Sequence, residues 1–247
     1  SAFWNWASPA KLVIMSAGLQ IVGCEDLIRL GLKLGSLVRQ VLILDHRVYS
    51  AAIHGHIGTP AQWEPVFRRH PQTWRAVLDR SGALLGYWQI APLKQSQFEK
   101  ARSGFLNPCD LKHEDYSGLD SPGAHNLYFV SVCIDPAHRN LPTQWALIES
   151  FFRVAEKLAL DGILFDEVAA VAHSEQGRQI CRSFGLQSGG RAFDGGESFS
   201  GRFPDVVSSF RAPLERRLPR LLELYGSPDQ VELKDAGLCS LPSTAVP

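Results

Sequence analysis

Apolar residues recur along this chain at two different spacings, and the spacings divide it into helices and strands. Leu27, Leu30, Leu34, Leu37 and Val38 fall three and four apart, which predicts a helix over 25–40. Val41, Leu42, Ile43, Leu44 and Asp45 either continue that helix or form a strand, because so short an apolar run carries no deciding period. Thr59 and Pro60 form a helix start, with Thr59 as cap and Pro60 in the first turn, and that helix runs to about 69. The β-rich runs 74–79 and 83–93 flank Arg80, Ser81 and Gly82, a hairpin signal. A short helix over 94–104 precedes the loop 107–126, which is rich in Pro, Asp, Gly, Ser and His. That loop is long for a compact domain, and loops of such length tend to carry function.

The second half is more strongly patterned. Residues 128–134 are almost wholly apolar and predict a strand buried on both faces. The helix 143–160 has Trp145, Ile148, Phe152, Ala155 and Ala159 on one face, and Glu149, Arg153, Glu156 and Lys157 on the other. A strand over 162–171 follows, then a helix over 174–184 with Ser174 as its cap and Gly185 as its stop. Residues 186–193 and 203–210 are expected as closing strands around a glycine-rich loop. A leucine-bearing helix over 212–224 is interrupted by Pro219. A short strand at 10–15 and a polar, proline-bearing stretch at 227–247 complete the pattern. The expected organisation is an N-terminal helical or extended segment (1–40) packed on the core, a main domain (41–225) and a C-terminal tail (226–247).

Composition narrows the function classes. The 247 residues are 45% apolar and 20% charged, an ordinary globular balance. Twenty-five basic residues stand against 25 acidic ones. A nucleic-acid partner is not expected from a chain without a basic excess. No apolar run is long enough to suggest a membrane span. The cysteines Cys24, Cys109, Cys133, Cys181 and Cys239 are scattered and odd in number, with no CxxC pair. Neither a disulfide framework nor a zinc ribbon is suggested, and a reducing cytoplasm is the simplest setting. Cys109 and His113 lack a second pair of ligands, so no metal is expected.

The chemistry concentrates between the strand 128–134 and the helix after it. Asp135, Pro136, Ala137, His138, Arg139 and Asn140 make a polar turn that delivers the chain into a helix start. Free N–H groups at such a start favour a bound anion, most often phosphate. A later helix ends in Ser183, Phe184, Gly185 and Leu186.

Hairpin, long loop, buried strand, helix, strand, helix and closing strands, in that order, resemble the GNAT superfamily of N-acetyltransferases over about 41–210. The resemblance implies an α/β (α+β) fold: a mixed, mostly antiparallel sheet flanked by helices and splayed at the central cofactor strand. It implies acetyl-CoA or another acyl-CoA as co-substrate and no metal. The pantetheine arm would lie along Val132, Cys133 and Ile134, whose neighbouring N–H groups would polarise the thioester carbonyl. The family's pyrophosphate turn is Gln or Arg, two residues, Gly, one residue, then Gly or Ala. Arg139 matches its first position, and Pro142 and Gln144 stand at the two small ones. Arg139, Asn140, Leu141, Thr143 and Gln144 are the resulting phosphate ligands. Ser174 matches the Asn of a second family motif, and Cys181 stands where that motif has a tyrosine that protonates the departing thiolate. Tyr128 and Glu114, with Asp115 beside it, are candidates to orient or deprotonate an acceptor amine. The acceptor is expected to be a small-molecule or peptide amine, and a homodimer is left open. His173 reads as a base near the thioester or as a residue lining a strand end. The alternative function is a GNAT-shaped acyl-CoA-binding or regulatory protein, favoured by Pro142, Gln144 and the absent tyrosine. An α/β hydrolase would need a GxSxG elbow that the chain does not contain.

Overall fold

The computed structural model describes residues 18–49 and 57–226. The strand expected at 10–15 and the stretch 227–247 lie outside the described residues. Helices are α1 (Cys24–Arg29), α2 (Leu34–Tyr49), α3 (Pro60–Arg69), α4 (Gln95–Arg102), α5 (Leu141–Leu160), α6 (Glu175–Ser183), α7 (Phe203–Ser209), α8 (Arg211–Arg217) and α9 (Pro219–Gly226). Strands are β1 (Gln20–Val22), β2 (Trp74–Leu78), β3 (Leu84–Leu93), β4 (Gly123–Ile134), β5 (Ile163–Ala172), β6 (Gln187–Arg191) and β7 (Glu197–Arg202). They form one sheet in the order β1-β2-β3-β4-β5-β7-β6. β4 and β5 run parallel, and every other pairing is antiparallel. This is a mixed, mostly antiparallel sheet, as expected.

Helices cover both faces. One core joins α5, α7, α8 and α9 to the sheet through Trp88, Phe151, Phe152, Phe203, Leu214 and Leu221. The other joins α2, α3 and α4 through Val38, Val41, Trp63, Phe98 and Tyr87. Strand alternation explains the division: Trp88 and Ile90 point into the first core, Tyr87 and Ala91 into the second. Among the described residues no helix is long and apolar enough to cross a membrane.

Several local signals act as expected. Thr59 Oγ1 accepts from Gln62 N–H at 3.3 Å and caps α3. Ser174 Oγ accepts from Gly177 N–H at 3.0 Å and caps α6. Asp79 Oδ1 accepts from the N–H groups of Ser81 and Ala83, closing the hairpin with Gly82 at φ 83°.

Other expectations are corrected. The helix over 25–40 is broken at Gly31, with φ 67°, into α1 and α2. α2 then continues through 41–45, so that run is helical and the boundary expected at 40/41 falls inside a helix. Residues 123–126 belong to β4 rather than to a loop, and two 3-10 turns (Pro108–Asp110 and His113–Asp115) occupy part of the rest. The strand expected at 203–210 is helix α7. Its Phe203, Val206, Val207 and Phe210 recur at helical spacing and are all buried, and the true closing strand β7 lies in the glycine-bearing stretch before it. On α5 the expected Phe152, Ala155 and Ala159 are buried and Trp145 and Ile148 are half-buried, and the buried face is wider than expected, taking in Leu147, Phe151, Val154 and Leu158 as well.

Phe203 joins three elements: its ring lies 5.9 Å from Phe151, 5.3 Å from Phe165 and 4.9 Å from Tyr225. Phe203→Ala is expected to cost about 3–5 kcal/mol in urea unfolding, whereas Phe105→Ala, at 68% exposed, should stay within about 0.5 kcal/mol. Equal losses would contradict this core assignment.

Candidate functional site: a cavity where two parallel strands part

β4 and β5 are hydrogen-bonded neighbours from Gly123↔Ile163 to Phe129↔Ala170. Beyond that point they separate. β4 continues beside β3 as far as Gly86↔Ile134, and β5 continues beside β7 to Ala172↔Glu197. One edge of residues 130–134 therefore faces no strand. The parting coincides with a bulge: Gln89 pairs with Ser131 and Ile90 with Phe129, so Val130 is the extra residue. A bulge re-aims the side chains that follow it. Tyr128 and Val130 face α2 before it, and Ser131 and Cys133 face the same way after it. The expectation of burial on both faces fails here, since Val132 is 45% exposed at the opening.

A cavity of about 460 Å³ fills the parting. Val41, Asp45 and Tyr49 of α2 and Trp63 of α3 wall one side; Gln144, Ile148 and Phe151 of α5 and Ile180 and Cys181 of α6 wall the other. Of the site residues expected from the sequence, Tyr128, Val132, Cys133, Ile134, Arg139, Gln144, Ser174 and Cys181 line it together. Asn140, Leu141, Thr143 and Glu114 are not among its lining residues.

The start of α5 explains part of that division. Asn140 Oδ1 accepts from Thr143 N–H at 3.0 Å, and Asn140 O accepts from Gln144 N–H at 3.1 Å. Asn140 and Thr143 thus cap their own helix. Pro142 has no N–H to offer, and Leu141 N–H is the remaining donor of this turn. Arg139 spans the mouth. Its Nε donates to Ile134 O and its Nη1 to Gln176 Oε1 of α6, both at 3.3 Å, with the guanidinium exposed.

The loop before β4 is packed rather than draped. Glu114 sits in a 3-10 turn 3.0 Å from His113 Nε2. Tyr116 is buried, bridges Leu93 and stacks on His70 at 4.5 Å. Pro108 is the part of this loop that reaches the cavity, held by Gln62 Nε2 donating to Pro108 O at 3.1 Å and Cys109 O at 2.8 Å.

Burial pushes the Cys181 thiol up to about 12, with the charge of Glu197 adding to the rise. An ordinary thiol titrates near 8.5, so proton transfer from Cys181 to a departing thiolate runs uphill. The geometry suits it as a wall residue. His173 Nε2 lies 3.5 Å from Asp194 Oδ2, and burial holds the imidazole below its usual range despite that carboxylate. Its ring meets Tyr49 edge-on at 6.3 Å.

The group missed by sequence reading is Asp45. Tyr87 Oη donates to its Oδ2, and Ser131 Oγ to its Oδ1 at 3.3 Å. Burial raises its carboxyl to about 7, against the pull of hydrogen bonds from Tyr87, Ser131 and Cys133. Tyr49, four residues along the same helix, donates to Val132 O at 3.0 Å. The signal was present: Asp45 follows buried Val41 by four residues, which puts a carboxylate on the inward stripe of α2. A carboxyl poised near neutrality, facing a cavity, can hold a cation or accept a proton.

No family model matches the sequence, and no curated protein matches it. The fold is similar to those of several solved structures. The GNAT-like decarboxylase GphF in complex with isobutyryl-CoA is 15% identical, with 74% of this chain and 99% of that one covered at a TM-score of 0.47. The loading GNATL domain of CurA from Lyngbya majuscula is 12% identical, covering 75% and 98% at 0.47. A GNAT superfamily phosphinothricin acetyltransferase from Sinorhizobium meliloti, in complex with AcCoA, is 11% identical, covering 75% and 88% at 0.45. At these identities and scores any functional reading rests on the geometry of this chain.

Asp45 gives a pH signature. Its folded value, about 7, lies above the ordinary carboxyl value of 3.8, so the folded state favours the protonated form. The stability this adds is complete below about 4 and is lost as pH rises towards 7 and through it. Asp45→Asn, which carries no titrating proton, should gain on the wild type between pH 5 and pH 8 in urea unfolding, by an amount on the order of 2–3 kcal/mol. An identical difference at both pH values would mean that Asp45 titrates as a solvated carboxylate.

Proposed function

We propose that the chain is an acyl-CoA-dependent N-acyltransferase that transfers an acyl group, acetyl in the simplest case, to an amine. The observation that carries this reading is the parting of β4 from β5 over a cavity. A strand edge without a partner offers alternating N–H and C=O groups to whatever enters beside it. The pantetheine arm of coenzyme A bears two amides and can occupy that edge as a short extra strand. Residues 130–134 would hold it, and N–H groups near Val132 and Cys133 would take the negative charge that develops on the thioester oxygen.

The diphosphate would then reach the mouth at Arg139. That guanidinium, Leu141 N–H and the Gln144 side chain are the groups suited to it. The partial positive charge of α5 adds a field that needs no free donor. The amine attacks the thioester carbonyl directly, and the thiolate of coenzyme A leaves without a covalent enzyme intermediate.

One observation favours a second reading, an acyl-CoA-binding protein that transfers nothing. The first turn of α5 spends its donors on its own cap and carries Pro142, which weakens the anion seat. The two readings differ in release of free thiol from bound acetyl-CoA when an amine is supplied.

Acetyl-CoA is expected to bind in calorimetry, and Arg139→Ala to weaken it about tenfold through loss of a charge-assisted contact. Absence of heat with coenzyme A, acetyl-CoA and longer acyl-CoAs would end the cofactor assignment. Cys181→Ala should lose stability and keep turnover per folded molecule. A fall in turnover with acyl-CoA affinity intact would restore Cys181 as proton donor.

A further inference from the structure

The two sides of the cavity differ in charge. On the α2 side the wall is apolar, with Val41, Leu42, Val48, Ile57 and Trp63, and its ionisable acids are Asp45 and Asp194. Among the described lining residues, Arg139 is the one lysine or arginine; it hydrogen-bonds Ile134 O and Gln176 of α6, and its charge also reaches Tyr49 of α2 and Cys133 of β4. A ligand entering on the α2 side therefore meets hydrocarbon, two carboxyl groups, Tyr49 and His173, and the one lining guanidinium, Arg139, is already hydrogen-bonded to Ile134 O and Gln176.

Asp45 is built to be used rather than merely buried. Oδ2 accepts a hydrogen bond from Tyr87 and Oδ1 one from Ser131, and the Cys133 thiol is a third donor to the carboxyl. A carboxylate has about four acceptor sites, so capacity for a further donor remains. Ser131 lies just past Phe129, where β4 leaves β5. Asp45 is thus one hydrogen bond away from the strand at the start of the opening. Around it, Tyr49 on α2, Tyr87 on β3 and Cys133 on β4 are all raised above their usual ranges by burial and stay neutral near pH 7. His173, at the end of β5, is lowered by burial and is paired with Asp194.

From this arrangement, and resting on the acyl-CoA reading above, we infer that the acceptor is a primary amine carried on an apolar body without a carboxylate, which enters on the α2 side and delivers its ammonium to Asp45. Asp45 takes one proton from the ammonium. The freed nitrogen lone pair forms the new C–N bond, and the C–S bond breaks as its electron pair leaves on the coenzyme A sulfur. The second amine proton passes to that thiolate, so free coenzyme A and a neutral amide result. The apolar wall supplies binding for the body of the amine, at about 25 cal/mol per Å² covered. Asp45 and Asp194 repel an amino acid or an acidic peptide, whose carboxylate would have to draw Arg139 from the hydrogen bonds it already makes.

The test uses the full chain with acetyl-CoA and follows thiol release with matched acceptors: 2-phenylethylamine against phenylalanine, and hexylamine against 6-aminohexanoate. Acetyl-CoA affinity is measured separately by calorimetry. The amines should exceed their carboxylate-bearing partners in kcat/KM by about tenfold or more. Asp45→Asn should keep acetyl-CoA affinity and lower transfer about a hundredfold or more. Tyr87→Phe removes a hydrogen bond that lowers the Asp45 carboxyl, so the acidic limb of the pH profile should move to higher pH. This variant carries the test if Asp45→Asn loses the fold. If acetyl-CoA does not bind, the acyl-CoA reading fails and this inference with it. If acetyl-CoA binds and the carboxylate-bearing acceptors are preferred, or no amine in the panel is acylated, the inference is overturned and the cofactor reading stands. Unchanged transfer in Asp45→Asn, or an unmoved limb in Tyr87→Phe, overturns the role of Asp45 alone.

Discussion

The unpaired edge of β4 is the constraint on which the rest of this structure depends. Backbone N–H and C=O groups inside a protein are costly to leave without partners, and sheets normally place them in ladders. Here the ladder between β4 and β5 stops at Phe129 and Ala170 while both strands run on. One extra residue, Val130, makes the difference. Past it β4 stays paired with β3 while its ladder to β5 has stopped, and a cavity lies in the gap. Strands on both flanks hold the two halves in place: β3 pairs with β4 to its end, and β7 pairs with β5 to its end. The opening is therefore rigidly framed, which suits a site that must receive an extended ligand without rearranging.

Side chains then give the opening two unlike walls. α2 contributes a half-buried carboxyl, and its Tyr49 ties the helix to β4 through Val132 O. Isolating a carboxyl in this way opposes stability at neutral pH. A fold that keeps such a group, on a stripe otherwise filled by Leu37, Val38, Val41 and Leu44, has placed it against its own thermodynamic interest. The α5 and α6 wall is mostly apolar, with Arg139 reaching across its mouth. One helix start serves both wall and fold: Asn140 satisfies the first turn of α5 and leaves Arg139 directed at the opening.

Much of the architecture was legible because it rests on short-range signals. Thr59 with Pro60, Asp79 with Gly82, and Ser174 with Gly185 each mark a boundary through a cap or turn that the structure contains. The two strands β4 and β5 and the helix between them followed from two apolar runs either side of an amphipathic one. Errors arose where two periods compete. Phe203, Val206, Val207 and Phe210 fit a helix, yet they were assigned to a strand because a closing strand was expected there, and β7 hid among glycines and serines of low β preference. Val132, Cys133 and Ile134 were named from the family resemblance, and the structure places them along the cavity. Asp45 was not, because its meaning depends on Tyr87 and Ser131, 42 and 86 residues away, and no local pattern carries that information.

The central claim, that the edge of β4 beyond Phe129 receives an acyl-CoA, is tested most directly by amide hydrogen exchange with and without acetyl-CoA. Occupation of the edge supplies partners to backbone groups that now face the cavity. The account predicts slower exchange at 130–134 and at the start of α5, with β2 and the paired half of β3 unchanged. Bound acetyl-CoA that leaves 130–134 unaltered, or that protects another region instead, would contradict it.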